Sequence, residues 1–114
     1  MQVDEVLANL AVADMASATA WYERLFGRPA DAEPMEGLAE WHFPGAGAVQ
    51  VSLNPERAGR GQATLSMRGL SSQVEGAREQ GVDIDPVDEE ISERVALVTV
   101  ADPDGNQLTL VEPK

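Results

Sequence analysis

An internal duplication constrains the fold of this chain more than any other feature of its sequence. Each half has an apolar strand pattern, then an amphipathic helix pattern that ends at a glycine, then three shorter strand patterns. The glycines that end the two helices are Gly27 and Gly81. A polar, glycine-containing segment, 54–61, joins the two halves. Duplication of a strand–helix–three-strand unit indicates a fold built from two similar modules.

Length and composition fit one folded domain. The 114 residues are 43% apolar, enough to bury a core and too many for a disordered chain. We therefore expect a single domain over 1–114, with modules of about 1–56 and 60–114. There is no cysteine, so neither a disulfide framework nor thiolate chemistry is expected. The start of the chain lacks a signal-peptide pattern, and no apolar stretch is long enough to span a membrane, which favours a cytoplasmic protein.

Periodicity predicts two helices and eight strands. The first helix is expected over Met15–Phe26, with Asp14 as its N-cap. Ser72 and Glu75 form a capping-box pattern that is expected to begin the second helix. The expected strands are Val6–Val12, Pro29–Met35, Ala39–Phe43, Ala48–Leu53, Ala63–Met67, Asp83–Asp88, Val95–Ala101 and Gln107–Glu112.

The two ends of the chain carry motifs that resemble a known superfamily. Leu-Ala-Val-Ala-Asp at 10–14 is followed by Trp-Tyr-Glu-Arg-Leu-Phe-Gly at 21–27, and Asp-Pro-Asp-Gly-Asn-Gln-Leu-Thr-Leu occupies 102–110. These segments resemble the opening and closing motifs of vicinal oxygen chelate domains, the relatives of glyoxalases and bleomycin resistance proteins. The resemblance implies an α+β fold of two βαβββ modules. Their curved, mixed eight-stranded sheet would surround an open cleft, with the helices outside.

The resemblance also identifies the positions at which metal-binding relatives hold their metal, on the first and fourth strands of each module. Those positions are occupied here by Leu7, Gln50, Gln62 and Thr109. A leucine has no donor atom, and the other three are neutral oxygen donors, whereas a transition metal needs His, Cys or carboxylate ligands. We therefore expect no metal and no other cofactor. This argues against glyoxalase I, extradiol dioxygenase and metal-dependent thiol-transferase activities.

Strand alternation places uncharged polar side chains on the same face as those four positions, and apolar side chains on the opposite face. A surface facing water would normally carry Lys, Glu or Arg, and this face has none. It is either a solvated or dimer-buried polar face, or a hydrogen-bonding groove for a neutral or zwitterionic small molecule. Trp41 is either a stacking platform in that groove or a core residue. The candidate ligand-binding residues are Asn9, Trp41, Gln50, Ser52, Gln62, Thr64 and Thr109.

Candidate catalytic residues are few. His42 is the only histidine, and Glu40 shares its strand face, so the two can form an acid–base pair. A lone histidine on a strand is also commonly an ordinary surface or packing residue. Asp14 and Asp102 are explained as a helix cap and a turn residue, and no nucleophile triad can be assigned.

Charge restricts the partners. The net charge of −12 disfavours nucleic acid, which binds to clustered Lys and Arg. Six acids and no base lie in Asp83–Glu93, which forms either a solvated surface or a field that attracts a cationic small molecule. We expect a metal-free binding protein that sequesters an antibiotic or metabolite, forms a homodimer and binds no membrane. The alternative is a lyase or isomerase-like enzyme of the same superfamily, using Glu40 and His42 or an atypical site.

Overall fold

The computed structural model describes every residue from 1 to 114, and its elements follow the order that the duplication predicts, with one strand fewer. Strand β1 and helix α1 are followed by three strands, then by β5, helix α2 and two further strands. The bounds are β1 Leu7–Val12, α1 Met15–Phe26, β2 Ala32–Met35, β3 Leu38–Phe43, β4 Gly47–Leu53, β5 Gln62–Ser66, α2 Leu70–Glu79, β6 Val95–Ala101 and β7 Gln107–Pro113.

The strands form two sheets, one from each half of the chain. The first sheet has the order β1-β4-β3-β2, in which β1 runs parallel to β4 and the other neighbours are antiparallel. The second sheet has the order β5-β7-β6, in which β5 runs parallel to β7. The α+β class and the modules of strand, helix and strands are therefore present. The chain has seven strands in two sheets instead of the expected single sheet of eight.

The missing strand is the segment Asp83–Asp88. Only Asp88 pairs there, in an isolated antiparallel bridge with Leu97 of β6. Pro86 has no backbone N–H to donate, which prevents a continuous ladder at this edge. The buried side chains of Val82 and Ile84 nevertheless attach this stretch of chain to the core.

Helix α1 begins and ends where its sequence signals lie. The Asp14 carboxylate accepts hydrogen bonds from the backbone N–H groups of Ala16 at 2.9 Å and Ser17 at 3.3 Å. Gly27 ends the helix in the left-handed conformation, with φ of 73°, which a glycine adopts without steric cost. The helix buries one face against the first sheet through Ala18, Trp21 and Tyr22.

Helix α2 begins differently from the prediction. Its first residue is Leu70, so Ser72 lies inside the helix and the predicted capping box with Glu75 is wrong. The free N–H groups of Gly69 and Leu70 instead donate to the Glu112 carboxylate, at 2.8 and 3.0 Å. A carboxylate from β7 therefore satisfies the helix N-terminus and complements its dipole.

The two modules are joined by a buried polar cluster that includes the turn between β6 and β7. The hydroxyl of Tyr22 donates to Asp102 Oδ2 at 2.7 Å, and Asn106 Nδ2 donates to the same oxygen at 2.7 Å. Asn106 Nδ2 also donates to the carbonyl of Ala11, while the N–H of Gly61 donates to Asn106 Oδ1, both at 2.8 Å. Asp102 is the turn residue that the sequence predicts, and it also connects the modules.

The apolar faces of both sheets contribute to one hydrophobic core with the two helices. The fully buried rings of Tyr22 and Trp41 form an aromatic cluster with the partly buried Phe26, with ring centroids 5.7 to 5.9 Å apart. Neither helix combines the length and the apolar character that a membrane crossing requires.

Candidate functional site

A continuous chain of side-chain hydrogen bonds crosses the outer face of the first sheet. Ser52 Oγ donates to Asn9 Oδ1 at 2.9 Å, and Asn9 Nδ2 donates to Gln50 Oε1 at 3.2 Å. Gln50 Nε2 donates to Glu40 Oε2 at 2.6 Å, and Glu40 Oε1 lies 2.9 Å from His42 Nε2. We call Asn9, Glu40, His42, Gln50 and Ser52 the polar network. It joins five of the predicted site residues on three adjacent strands.

The strand register explains why these side chains meet. Gln50 on the central strand β4 is paired with Asn9 on β1 and with Glu40 on β3. Paired residues point to the same face of a sheet, so the amide of Gln50 lies between its two partners. His42 is two positions after Glu40 on β3, and Ser52 is two positions after Gln50 on β4. Both therefore lie on the same face as those residues.

The polar network holds a charged carboxylate. The side chain of Gln50, and then that of His42, donate to Glu40 and hold the pKa of its carboxyl below the usual value. The same contact raises the pKa of His42, because the protonated imidazole donates to a carboxylate. Glu40 is only 9% exposed, whereas His42 is exposed and its Nδ1 makes no hydrogen bond. The outer face therefore combines neutral hydrogen-bonding groups with a Glu40 carboxylate that is paired with the His42 imidazole.

The predicted residues of the second module lie together on the other sheet. Thr64 on β5 is paired with Thr109 on β7, and Thr109 Oγ1 lies 3.4 Å from Thr99 Oγ1 on β6. Gln62 is paired with Gln107 and makes no side-chain hydrogen bond. No side-chain hydrogen bond joins this group to the polar network. Each sheet thus carries its own set of polar groups.

Trp41 does not belong to either set. It is completely buried on the opposite face of β3, and its Nε1 donates to the carbonyl of Arg28 at 3.0 Å. Strand alternation causes this placement, because Trp41 lies between Glu40 and His42, which point outward. The prediction of Trp41 as a ligand-stacking residue is wrong, and the alternative, a core residue, is correct.

Sequence reasoning missed two residues that fix the position of His42. The Asp31 carboxylate accepts from the backbone N–H of His42 at 2.6 Å and pairs with the guanidinium of Arg28. Arg28 Nη2 also donates to the carbonyl of His42 at 2.7 Å. Two hydrogen bonds lower the pKa of the Asp31 carboxyl: the larger effect comes from Arg28, and the smaller from the backbone N–H of His42. Only the spacing of three residues between Arg28 and Asp31 signals this pairing in the sequence.

The residues at the family's metal positions do not fit a metal ion. Leu7 has no donor, and the amide of Gln50 already bonds to Asn9 and Glu40. Nowhere in the chain do three or more His, Cys, Asp or Glu side chains converge in a way that could hold a metal ion. The available donors, amides and hydroxyls, do not outcompete water for a transition metal.

Comparison with solved structures shows the family to which this fold belongs. A glyoxalase / bleomycin resistance protein from Catenulispora acidiphila DSM 44928 is 31% identical to this chain. The match covers 95% of this chain and 96% of that chain, with a TM-score of 0.87. The chain belongs to the glyoxalase/bleomycin resistance family. No protein-family model and no curated protein matches this chain.

Two structures that are less similar to this glyoxalase/bleomycin resistance family member share its fold. An antibiotic-binding protein from Streptomyces sp. CB03234 is 23% identical, covers 100% of this chain and 99% of its own, and has a TM-score of 0.75. A bleomycin-binding protein in complex with bleomycin is 21% identical, covers 98% of this chain and 100% of its own, and has a TM-score of 0.78.

Proposed function

We propose that this family member is a metal-free binding protein that sequesters a small molecule, an antibiotic or a metabolite, on its polar strand faces. The polar network carries the proposal. Its amides and hydroxyl are ordered by mutual hydrogen bonds before any ligand arrives, so a ligand meets fixed donors and acceptors. Such preorganisation lowers the entropic cost of binding. The ligand-binding residues are Asn9, Gln50, Ser52, Gln62, Thr64 and Thr109.

A ligand with a cationic group suits this face best. Glu40 is an ionised carboxylate that is nearly buried, and a cation can approach the oxygen atoms that Gln50 and His42 already orient. The net charge of −12 attracts a cation at long range and repels an anion. The shared fold of an antibiotic-binding protein and of a bleomycin-binding protein in complex with bleomycin supports a small-molecule ligand.

We also propose that the protein acts as a homodimer. The polar faces of its two sheets are not joined within one chain, and the outer edges of β1 and β5 have no strand partner. A second copy can cover an open edge and bring a second polar face to the ligand. Sedimentation at tens of micromolar, about the range in which ordinary interfaces form, is expected to give a dimer. A monomer under these conditions would count against this part of the proposal.

A second candidate function is catalysis of a lyase or isomerase type. It rests on the contact of 2.9 Å between Glu40 Oε1 and His42 Nε2, which leaves His42 Nδ1 free to accept a proton. Binding is favoured because these two residues are the only acid–base pair on the polar faces. His42→Asn separates the two functions, because His42 is not one of the proposed ligand-binding residues and Gln50 still donates to Glu40: the variant would abolish turnover but retain most of the binding of a sequestered ligand.

The binding proposal is tested with a ligand screen followed by substitution. A thermal-shift screen of cationic and neutral antibiotics identifies the ligand, and calorimetry then measures its affinity. The double variant Gln50→Leu, Gln62→Leu is expected to stay folded and bind at least about tenfold more weakly, because two hydrogen bonds are lost. Gln2→Leu, outside both sheets, is the matched control and should bind normally. Unchanged affinity in the folded double variant would refute the assignment of the site.

The metal-free character has its own test. Elemental analysis of the purified protein after dialysis against a chelator is expected to find no stoichiometric zinc, nickel, iron or manganese. About one retained metal ion per chain would overturn the metal-free proposal. It would mean that the metal ligands are residues other than those at the positions of Leu7 and Thr109.

A further inference from the structure

A cavity of about 720 Å³ is lined by strands and helices of both modules, and no residue of the polar network lines it. Apolar side chains from both modules form most of its wall, among them Phe26, Phe43, Leu65 and Val74. Of the proposed ligand-binding residues only Thr64 lines it. Its volume is within the range of about 300–1,000 Å³ found for small-molecule sites. Apolar burial in such a space favours a ligand with a hydrocarbon or aromatic body.

This apolar cavity adjoins a smaller and more polar one. The second cavity, of about 450 Å³, shares Arg24, Gly27 and Gln80 with the first. Only one of its seven lining residues is hydrophobic. The two cavities meet where helices α1 and α2 end. The shared Arg24 and Gln80 therefore place polar groups at the edge of the apolar cavity, an arrangement that matches an amphipathic molecule.

The groups at the junction are mainly hydrogen-bond donors. The guanidinium of Arg24 makes no salt bridge, and the amide of Gln80 has no side-chain partner. Arg28 also lines the smaller cavity, but its charge is balanced by Asp31. Glu23 is the one carboxylate there, and neighbouring positions on a helix do not face one another, so it does not neutralise Arg24 directly. An unpaired guanidinium binds a carboxylate with two parallel hydrogen bonds.

We propose that the larger cavity, with the adjoining smaller one, binds an amphipathic carboxylate. Its apolar body lies in the larger cavity among Phe26, Phe43 and Leu65, and its carboxylate contacts Arg24 and Gln80 at the junction. The cavity contains no residue of the polar network and shares only Thr64 with the proposed ligand-binding residues, so this proposal goes beyond the proposed function, whose ligand is cationic or neutral.

The first experiment uses a neutral fluorescent dye, N-phenylnaphthylamine, as the probe of the apolar cavity. The dye is expected to bind saturably, and decanoate, decanol and decyltrimethylammonium are then compared as competitors below their micelle-forming concentrations. Decanoate should displace the dye at a concentration about fivefold lower than decanol, a modest factor because Arg24 is exposed, and the cation should compete least well. Absence of saturable binding, or a preference for decanol or the cation, would overturn the proposal.

Substitution of Arg24 tests the carboxylate contact. Arg24→Gln should remove the preference for decanoate over decanol but leave dye binding unchanged. Arg78→Gln is the matched control, because Arg78 lies in the last turn of α2, pairs with Glu75 and lines neither cavity. If Arg24→Gln retains the preference, or Arg78→Gln loses it, the head-group site is misassigned.

Substitution of Gly76 tests the apolar cavity. A Cβ at Gly76 would meet no atom within 4 Å, and this residue of α2 lines the larger cavity, so Gly76→Leu fills space without a backbone clash. The variant should stay folded, since a glycine inside a helix is replaced by a better helix former, and should lose both dye and decanoate binding. Arg78→Leu places the same side chain on another face of α2 and should bind both. If Gly76→Leu does not fold, the proposal is tested by the preference of Arg24→Gln for decanoate over decanol.

Two further measurements distinguish the two adjoining cavities from the polar network and from a subunit interface. Gln50→Leu, Gln62→Leu should bind the dye and decanoate as the parent does; loss of both would mean that the cavities are part of the polar site and would refute this proposal alone. Sedimentation of Gly76→Leu should match the parent. A change of the parent's oligomeric state would instead identify the cavity face as an interface between copies and would equally refute it.

Discussion

The hydroxyl of Tyr22 and the carboxylate of Asp102, eighty positions apart in the chain, form a buried hydrogen bond of 2.7 Å. Tyr22 lies on α1 of the first module and Asp102 begins the turn between β6 and β7 of the second. Burial, and then the hydrogen bond to Asp102, raise the pKa of Tyr22 above its ordinary value, so the protonated phenol is the donor in this bond. The two modules are therefore held together partly by a specific polar contact within the shared core.

Tyr22→Phe measures what this contact contributes. The ring stays in the core, but Asp102 loses one of its donors while it remains buried. We expect the free energy of unfolding to fall by about 1–3 kcal/mol, the usual cost of removing a buried hydrogen bond to a charged group. Urea unfolding followed by circular dichroism gives this value. An unchanged midpoint would show that the remaining donors, the side chain and N–H of Asn106 and the N–H of Asp104, satisfy the Asp102 carboxylate without Tyr22.

The connection between modules also depends on a close backbone approach at Gly59. Its φ is 81°, and an added Cβ would lie 2.1 Å from the carbonyl oxygen of Asp104. Gly45 has nearly the same φ, 79°, but nothing lies within 4 Å of its would-be Cβ. Gly45→Ala should therefore cost only the conformational penalty of about 1–2 kcal/mol. Gly59→Ala should cost about 1–3 kcal/mol more, because the backbone must move.

Denaturant unfolding of both glycine variants and the parent tests this difference. Gly45→Ala is the internal control, since it changes the same residue type at the same backbone conformation. Equal destabilisation of the two variants would show that the segment 54–61 adjusts freely and does not fix the relative position of the modules.

Local signals in the sequence predicted local structure accurately. The limits of α1 and β6 agree with the prediction because a capping aspartate, a terminal glycine and an uninterrupted apolar alternation all act within a few residues. The start of α2 could not be predicted in the same way. Its cap, Glu112, is 42 positions from Leu70 and meets it only once β7 is paired with β5. The absent strand at Asp83–Asp88 is explained by Pro86, whose missing donor outweighs the alternation.

The candidate site was also predictable only where the signal is local in the sequence. Alternation correctly placed Glu40 and His42 on the strand face opposite Trp41, but it did not predict that Glu40 lies on the same face as Asn9 and Gln50. The pairing of Gln50 with both partners required the register between strands that are distant in sequence. The ion pair of Arg28 and Asp31 was missed because it lies in an irregular segment, for which periodicity makes no prediction.

The cap of α2 gives a prediction in which the sequence pattern and the structure disagree. Glu112→Ala removes the carboxylate that accepts from Gly69 and Leu70, and should lower the free energy of unfolding by about 1 kcal/mol. Ser72→Ala should change it by less than about 0.5 kcal/mol, because Ser72 is exposed and caps nothing. Thermal or urea unfolding measures both. A larger effect of Ser72→Ala would show that the predicted capping box of Ser72 and Glu75 stabilises the helix after all.

The contact between Glu40 and His42 makes stability depend on pH in a defined window. Glu40 has a pKa below its ordinary value of 4.5, so its contribution exists above about pH 4.5 and is lost as the pH falls through the lowered pKa. His42 has a pKa above its ordinary value of 6.5, so its contribution is complete below about pH 6.5 and is lost as the pH rises through the raised pKa. The carboxylates of Glu5 and Asp31 act on His42 in the same direction as Glu40.

The two contributions overlap between pH 4.5 and 6.5, where the pair is fully charged. The difference in unfolding free energy between the parent and His42→Asn should be largest in that window and should decrease at higher pH. The effect is small, because the imidazole is exposed to water. Urea unfolding at a series of pH values gives the difference directly, and an NMR titration of the single imidazole gives its pKa. A pKa at or below 6.5 would show that the imidazole does not donate to Glu40 in solution, and the polar network would then end at that carboxylate.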